Sequence, residues 1–117
     1  VLNIWCWNDE FQSRFNDYYP GVKEIAADKS TTTLDNGVTV KWTINPNDNN
    51  NYQNKLDEAL LKQDSAAADD KIDIFLIEAD YALKYVDSDY TLDVRGDIGL
   101  TDADLWPVPT YAELLFL

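Results

Sequence analysis

The chain has 117 residues, the size of a single domain. Its apolar fraction of 45% and its charged fraction of 26% are those of a globular protein and exclude a disordered or collagen-like chain. The 22 acidic and 9 basic residues give a net charge of −13, which opposes binding to nucleic acid and to anionic membrane surfaces.

The first segments of the chain predict a strand followed by a helix. Residues 1–7 form a short apolar run rich in β-forming residues, which is typical of a strand buried on both faces. The polar residues 8–10 can cap a helix, and a Pro-Gly pair at 20–21 is expected to end it. Between them, aromatic residues recur with the spacing of an amphipathic helix. They are Phe11, Phe15, Tyr18 and Tyr19.

The next region predicts a hairpin, a strand and a second helix. The Asn-Gly pair at 36–37 lies between β-prone flanks and indicates a tight turn. Residues 38–44 alternate in polarity and predict a strand, and residues 31–34 are expected to pair with its start. An asparagine-rich loop at 45–51 precedes the helix. The apolar stripe of that helix consists of Tyr52, Leu56, Ala59 and Leu60.

The ends of this second helix also carry signals. Asn50 and Gln53 have the spacing of a capping box, with asparagine in place of serine or threonine. Glu58 and Lys62 are spaced to form an ion pair on the exposed face. After the helix, residues 72–77 are almost continuously apolar and predict a third strand.

This alternation of strands and helices predicts an α/β fold in three layers, with helices flanking a parallel sheet that is mixed at its edge. Residues 81–86 can add a short helix, and 92–94 a brief extended segment. Ligands of such sheets bind outside the carboxyl ends of the strands. The segments at those ends are 7–11, 45–52 and 78–81.

Two of these segments combine aromatic rings with hydrogen-bond acceptors. The candidate ligand-binding residues are Trp7, Asn8, Asp9 and Glu10 in the first segment, and Glu78, Asp80 and Tyr81 in the other. Carboxylates and amides accept hydrogen bonds from sugar hydroxyls, and aromatic rings stack on the C–H faces of sugars. Taken singly, each segment is better explained as a polar turn that caps a helix. Because both are expected at one sheet edge, we interpret them together as a rim that binds a polyol.

Other chemistries have less support. Two of these carboxyl groups at about 5–9 Å could flank a glycosidic bond, but the sequence gives no sign of the raised pKa that a glycosidase needs, so we expect no enzyme activity. There is no histidine, and Cys6 is the only cysteine, which excludes histidine-based catalysis, internal disulfides and cysteine-rich zinc sites. An EF-hand starting at Asp87 fails because Leu92 and Ile98 occupy its glycine and glutamate positions. We predict no metal and no cofactor.

Three stretches resemble a known family. They are residues 2–9, residues 11–21 followed by the strand at 38–44, and residues 71–80. In their order and spacing they are similar to the N-terminal lobe of the extracellular solute-binding proteins of carbohydrate ABC importers, the group that includes maltose-binding protein. The resemblance covers about residues 1–100 of the chain.

The resemblance implies a partial lobe of a periplasmic-binding-protein-like fold that binds a sugar or oligosaccharide without catalysis. It implies delivery to a membrane permease, and an extracellular or periplasmic location with a membrane anchor on the full-length precursor. By position, the loop at 7–10 and the loop with Glu78, Asp80 and Tyr81 would contact the sugar.

The chain also departs from the family. The second lobe is not in this sequence, so we expect residues 1–104 to be a truncated lobe with weak or lost binding. Residues 105–117 are an atypical C-terminal tail. The alternative is a truncated or engineered scaffold that serves assembly and binds no ligand. Because the tail at 112–117 is apolar, we further expect a homodimer or a domain swap.

Overall fold

The computed structural model describes residues 1–86 and 88–105. They divide into two compact units, the first ending at Glu78 and the second beginning at Ala79. The strands and longer helices are β1 (Leu2–Cys6), α1 (Glu10–Tyr18), β2 (Val22–Ile25), β3 (Thr31–Leu34), β4 (Thr39–Ile44), α2 (Asn51–Leu61), β5 (Ile74–Phe75) and α3 (Asp102–Leu105). Single turns of 3-10 helix lie at Asp48–Asn50, Gln63–Ser65, Ala68–Asp70 and Ala82–Lys84. Among the helices of these described residues, none has both the length and the apolar character that a bilayer crossing requires.

The first unit is a small α/β domain built on a five-stranded mixed sheet. The strands lie in the order β2-β3-β4-β1-β5. β1 runs parallel to β4 on one side and to β5 on the other, whereas β2, β3 and β4 are joined by antiparallel pairing. This confirms the predicted α/β class, the mixed sheet and the hairpin, in which Thr32 pairs with Val40. Gly37 in its turn has a φ of 89°, a conformation that glycine adopts without strain.

One face of the sheet carries the main apolar core. Its buried members are Ile4, Cys6, Leu34, Val40 and Trp42. Helix α1 reaches this core through Phe15, whose ring lies edge-on to the Trp42 indole at 5.4 Å. A buried polar chain reinforces the contact, because the Trp42 Nε1–H donates to Thr32 Oγ1 (3.0 Å) and the Thr32 hydroxyl donates to Asn16 Oδ1 (2.6 Å).

The predicted apolar stripe of α1 is wrong as a description of what the helix buries. Phe11 is 41% exposed, Tyr18 80% and Tyr19 47%, and Phe15 is half-buried. The buried residue of the helix is instead Gln12, whose side-chain amide donates to the Lys29 carbonyl. The reason is geometric: α1 has nine residues and meets the sheet mainly at Trp42, which Phe11 and Phe15 contact edge-on, while Tyr19 stacks on Phe15. This single point of contact leaves much of the aromatic face open to solvent.

Helix α2 buries three of the four residues of its predicted stripe, namely Tyr52, Leu56 and Leu60, and Ala59 is half-buried. The Glu58–Lys62 ion pair is also present, at 3.0 Å. The predicted capping box is wrong, because Asn50 has a φ of 59° and makes no side-chain cap. Asparagine tolerates this left-handed conformation, and the loop turns through it at both Asn49 and Asn50 before the helix begins.

The third predicted strand is shorter than residues 72–77, since β5 contains only Ile74 and Phe75. The Asp73 side chain accepts the Asn3 N–H at 2.8 Å, in the place where a ladder would use a main-chain carbonyl. The buried Asn3 amide donates to the carbonyls of Asp69 and Lys71, so side chains hold the approach to β5 against β1.

The second unit has little regular structure among its described residues. The predicted short helix is present as the turn Ala82–Lys84. Residues 92–94 are not a strand: Asp93 instead organises a turn, in which its carboxylate accepts the Arg95 N–H at 3.0 Å and its carbonyl accepts the Asp97 N–H at 2.9 Å. The predicted tail lies almost entirely outside the described residues, which end at Leu105.

Candidate functional site at the carboxyl edge of the sheet

Three parallel strands end at one edge of the sheet. In register, Cys6 of β1 pairs with Ile44 of β4, and Trp5 pairs with Phe75 of β5. The segments that leave these strands therefore start side by side. They stay close, because the Asn45 N–H donates to the Cys6 carbonyl at 3.0 Å and the Leu76 N–H donates to the Trp5 carbonyl at 2.9 Å.

Polar side chains from two of these segments meet directly. The Asn47 side-chain amide, from the loop after β4, donates to Glu78 Oε2 at 3.2 Å. Both residues are half-buried, and 31 positions separate them along the chain. The pair leaves further acceptor positions on the Glu78 carboxylate and the carbonyl oxygen of Asn47 for other donors.

Tyr52 of α2 anchors the same edge from below. Its hydroxyl lies 2.6 Å from the Leu76 carbonyl and 3.2 Å from the Trp5 carbonyl, at the ends of β5 and β1. Its ring packs edge-on against Trp7, with 5.7 Å between ring centroids. Because Tyr52 is fully buried, it holds the Trp7 indole in a defined position at the edge.

The loop after β1 uses some of its polar groups internally. Asn8 Oδ1 accepts the Glu10 N–H at 3.1 Å in the turn that leads into α1. Asp9 occupies the cap position without a side-chain hydrogen bond to the helix. Glu10 forms an exposed ion pair with Arg14 at 2.9 Å. Asp9 is therefore the least engaged of these acids, and Glu10 is already paired.

A cleft of about 200 Å³ opens between this loop, the first turn of α1 and the end of β5. Its lining is Cys6, Trp7, Asn8, Glu10, Phe11, Arg14 and Leu76. Burial raises the pKa of the Cys6 thiol to about 11, because the thiolate would lose its hydration there. The thiol is therefore neutral at physiological pH and behaves as an apolar group rather than as a nucleophile.

The structure brings together part of the predicted site. Trp7, Asn8 and Glu10 line one cleft, Asp9 lies exposed beside it, and Glu78 stands at the same sheet edge with Asn47. Asp80 and Tyr81 belong to the second unit. There Asp80 is exposed, and Tyr81 precedes the Ala82–Lys84 turn with its ring edge-on to Tyr85 at 6.2 Å.

Sequence reasoning missed four residues of this site. Asn47 lies in a segment that topology selected, but a run of asparagines gives no signal for the one that meets Glu78. Phe11 lies in the selected segment 7–11 but was interpreted only as part of the stripe of α1, Leu76 was assigned to the strand interior, and Arg14 carried no signal. A helical projection that places Phe11 and Arg14 on one flank of α1, next to the loop at 7–10, could have found two of them. No group of three or more acidic or cysteine ligands that could hold a metal occurs in residues 1–86 and 88–105.

The fold and edge define a small α/β domain with a five-stranded mixed sheet and an open cleft where parallel strands end. Comparison of the chain with protein-family models, with curated proteins and with solved structures finds no match.

Proposed function

We propose that the domain is a non-catalytic carbohydrate-binding module that serves as the sugar-binding lobe of a receptor in an ABC importer. The observation that supports it most is the hydrogen bond from Asn47 to Glu78 at the edge where the parallel strands end, the same edge at which Trp7 follows β1 and packs on Tyr52. A carboxylate and an amide are suitable partners for vicinal hydroxyls, and an indole is a suitable platform for the C–H face of a sugar ring. Ligands of open α/β sheets bind at this kind of edge.

Two features of the edge favour a neutral ligand over an anion. The protein has a net charge of −13, so a phosphate or carboxylate ligand would approach against a repulsive field. Arg14, the cation that lines the cleft, is already paired with Glu10. A neutral polyol meets no electrostatic repulsion, and its hydroxyl groups can donate hydrogen bonds to the carboxylates of Glu78 and Asp9. The sugar would be delivered to a membrane permease, as the resemblance to importer receptors implies.

The test is isothermal titration of the chain with neutral mono-, di- and oligosaccharides. Weak binding is expected, because the open edge leaves much of a sugar in water. Glu78→Gln should weaken binding about tenfold, since a hydrogen bond to a charged acceptor becomes a hydrogen bond to a neutral one. The matched control is Glu24→Gln, which alters an exposed carboxylate on β2. No heat with any saccharide at millimolar concentration, or equal effects of the two variants, would refute the proposal.

A further inference from the structure

The cleft beside β1 differs in chemistry from the polar edge next to it. The apolar part of its lining, which we call its floor, consists of Cys6, Trp7, Phe11 and Leu76, and the polar residues Asn8, Glu10 and Arg14 complete the lining. Cys6 is 2% exposed and its thiol is a weak hydrogen-bond former. Sugar hydroxyls placed against this floor would lose their hydrogen bonds to water without replacement, which disfavours a bare sugar ring inside the cleft.

We propose that this cleft binds the aryl group of an aryl glycoside, while the attached sugar contacts the polar residues at the same edge. The inference rests on the proposed function and names its ligand class: an amphipathic glycoside rather than a free saccharide. It assigns the cleft to a flat apolar ring and leaves Asn47 and Glu78 to the hydroxyls.

The size of the cleft suits such a ring. A closed apolar cavity of about 150 Å³ holds benzene, and this open cleft measures about 200 Å³. Aromatic rings prefer edge-on or offset contacts with other rings. Trp7 and Phe11 in the lining offer such contacts from two sides, and Leu76 closes the end next to β5.

The spacing between the two subsites is also suitable. Leu76 lines the cleft and Glu78 lies two residues further along the chain. Because a chain rises by at most about 3.6 Å per residue, their backbones lie within about 7 Å of each other. Trp7 lines the cleft and packs on Tyr52, whose hydroxyl donates to the Leu76 carbonyl, so the cleft is tied to the strand end from which the chain runs on to Glu78. A ring linked through one glycosidic oxygen to a pyranose can reach both.

The experiment compares methyl and phenyl glycosides of glucose, galactose and mannose by isothermal titration with the full chain, with free phenol as a third probe. The phenyl glycoside of the preferred sugar should bind about tenfold tighter than its methyl glycoside, the factor expected when an apolar ring leaves water. Leu76→Ala and Phe11→Ala should each bring this ratio close to one. Tyr18→Ala is the matched control, because Tyr18 is an aromatic residue of the same helix outside the cleft.

The outcomes separate this inference from the proposed function. Equal affinity for methyl and phenyl glycosides overturns the aryl subsite and leaves sugar binding intact. Free phenol that binds as tightly as the phenyl glycosides shows that the sugar contributes nothing, which overturns the proposed function. No binding of any probe overturns both. Thermal unfolding shows whether Leu76→Ala and Phe11→Ala are folded. The ratio of phenyl- to methyl-glycoside affinity is then compared with the wild-type ratio for each variant that is folded.

Discussion

The buried chain from Trp42 through Thr32 to Asn16 offers the sharpest test of how α1 is held on the sheet. Thr32 is fully buried, and its hydroxyl accepts from the Trp42 indole at 3.0 Å while donating to Asn16 at 2.6 Å. Thr32→Val keeps the shape of the side chain and removes the hydroxyl. The Trp42 N–H, on a residue 7% exposed, then has no partner, whereas the half-buried Asn16 can turn toward water.

The expected cost is the desolvation penalty of one buried donor, about 1–3 kcal/mol. Domains of this kind have about 5–15 kcal/mol of total stability, so the change is readily measured by urea unfolding. Thr32→Ser retains the hydroxyl and should be less destabilising than Thr32→Val. Thr33→Val, on the opposite face of β3, is the matched control and should change the free energy of unfolding by less than about 0.5 kcal/mol.

The reasoning fails if Thr32→Val unfolds at the same urea concentration as the wild type, or if Thr32→Ser is as destabilised as Thr32→Val. The first result would mean that the indole N–H finds water despite its burial. The second would mean that the methyl group, not the hydroxyl, carries the contribution of Thr32. A change in the slope of the unfolding curve would instead point to an altered unfolded state.

Two further predictions concern the cysteine and the exposed face of α1. Burial raises the pKa of Cys6 to about 11 from an ordinary value of 9.0, so the unfolded chain releases its thiol proton first and stability should fall as pH rises from about 9 to 11. Cys6→Ala should lack this part of the pH dependence, which urea unfolding of both proteins across that pH range measures. If the free energy of unfolding falls equally in the two proteins, the prediction is contradicted. The aromatic face of α1, with Tyr18 80% exposed, should support self-association between two copies. Because each copy has a charge of −13, added salt should strengthen that association in light scattering, and Tyr18→Glu should weaken it; a monomer at all salt and protein concentrations would refute it.

The features that could be predicted from the sequence are those that local chemistry determines. The Asn-Gly pair at 36–37 demands a tight turn, and that turn sets the pairing of Thr32 with Val40. The stripe of α2 is correct because Tyr52, Leu56 and Leu60 recur at the helical period and find a neighbour. Parallel pairing of β1 with β5 followed from the alternation of elements. That pairing is what places Trp7 and Glu78 at one edge.

Prediction failed where the outcome depended on a distant partner. The period of α1 identified its aromatic face but could not reveal how little of the sheet would lie opposite it. Phe11 touches the Trp42 ring and still stays 41% exposed, and Tyr18 is 80% exposed. The Asn47–Glu78 contact joins residues 31 positions apart, and although the sequence marked Glu78 as a candidate, nothing local singled out Asn47 as its partner. Next to the short strand β5, the Asp73 side chain accepts the Asn3 N–H in place of a main-chain carbonyl. A pattern of apolar residues cannot predict such a side-chain contact.

The loop after β1 shows why a structural and a functional interpretation need not exclude each other. Asn8 accepts the Glu10 N–H through its side-chain oxygen in the turn before α1, and the same residue lines the cleft. Glu10 is paired with Arg14, but this ion pair is exposed, and exposed pairs contribute at most about 1 kcal/mol. A ligand hydroxyl can therefore compete for Glu10 at low cost, whereas Tyr52, buried and bound to two strand ends, is fixed. The edge thus combines a part fixed by Tyr52 and the parallel strands with surface groups such as Glu10, whose ion pair is weak enough for a ligand hydroxyl to replace it. That combination is what a site for a neutral, hydroxyl-bearing ligand requires.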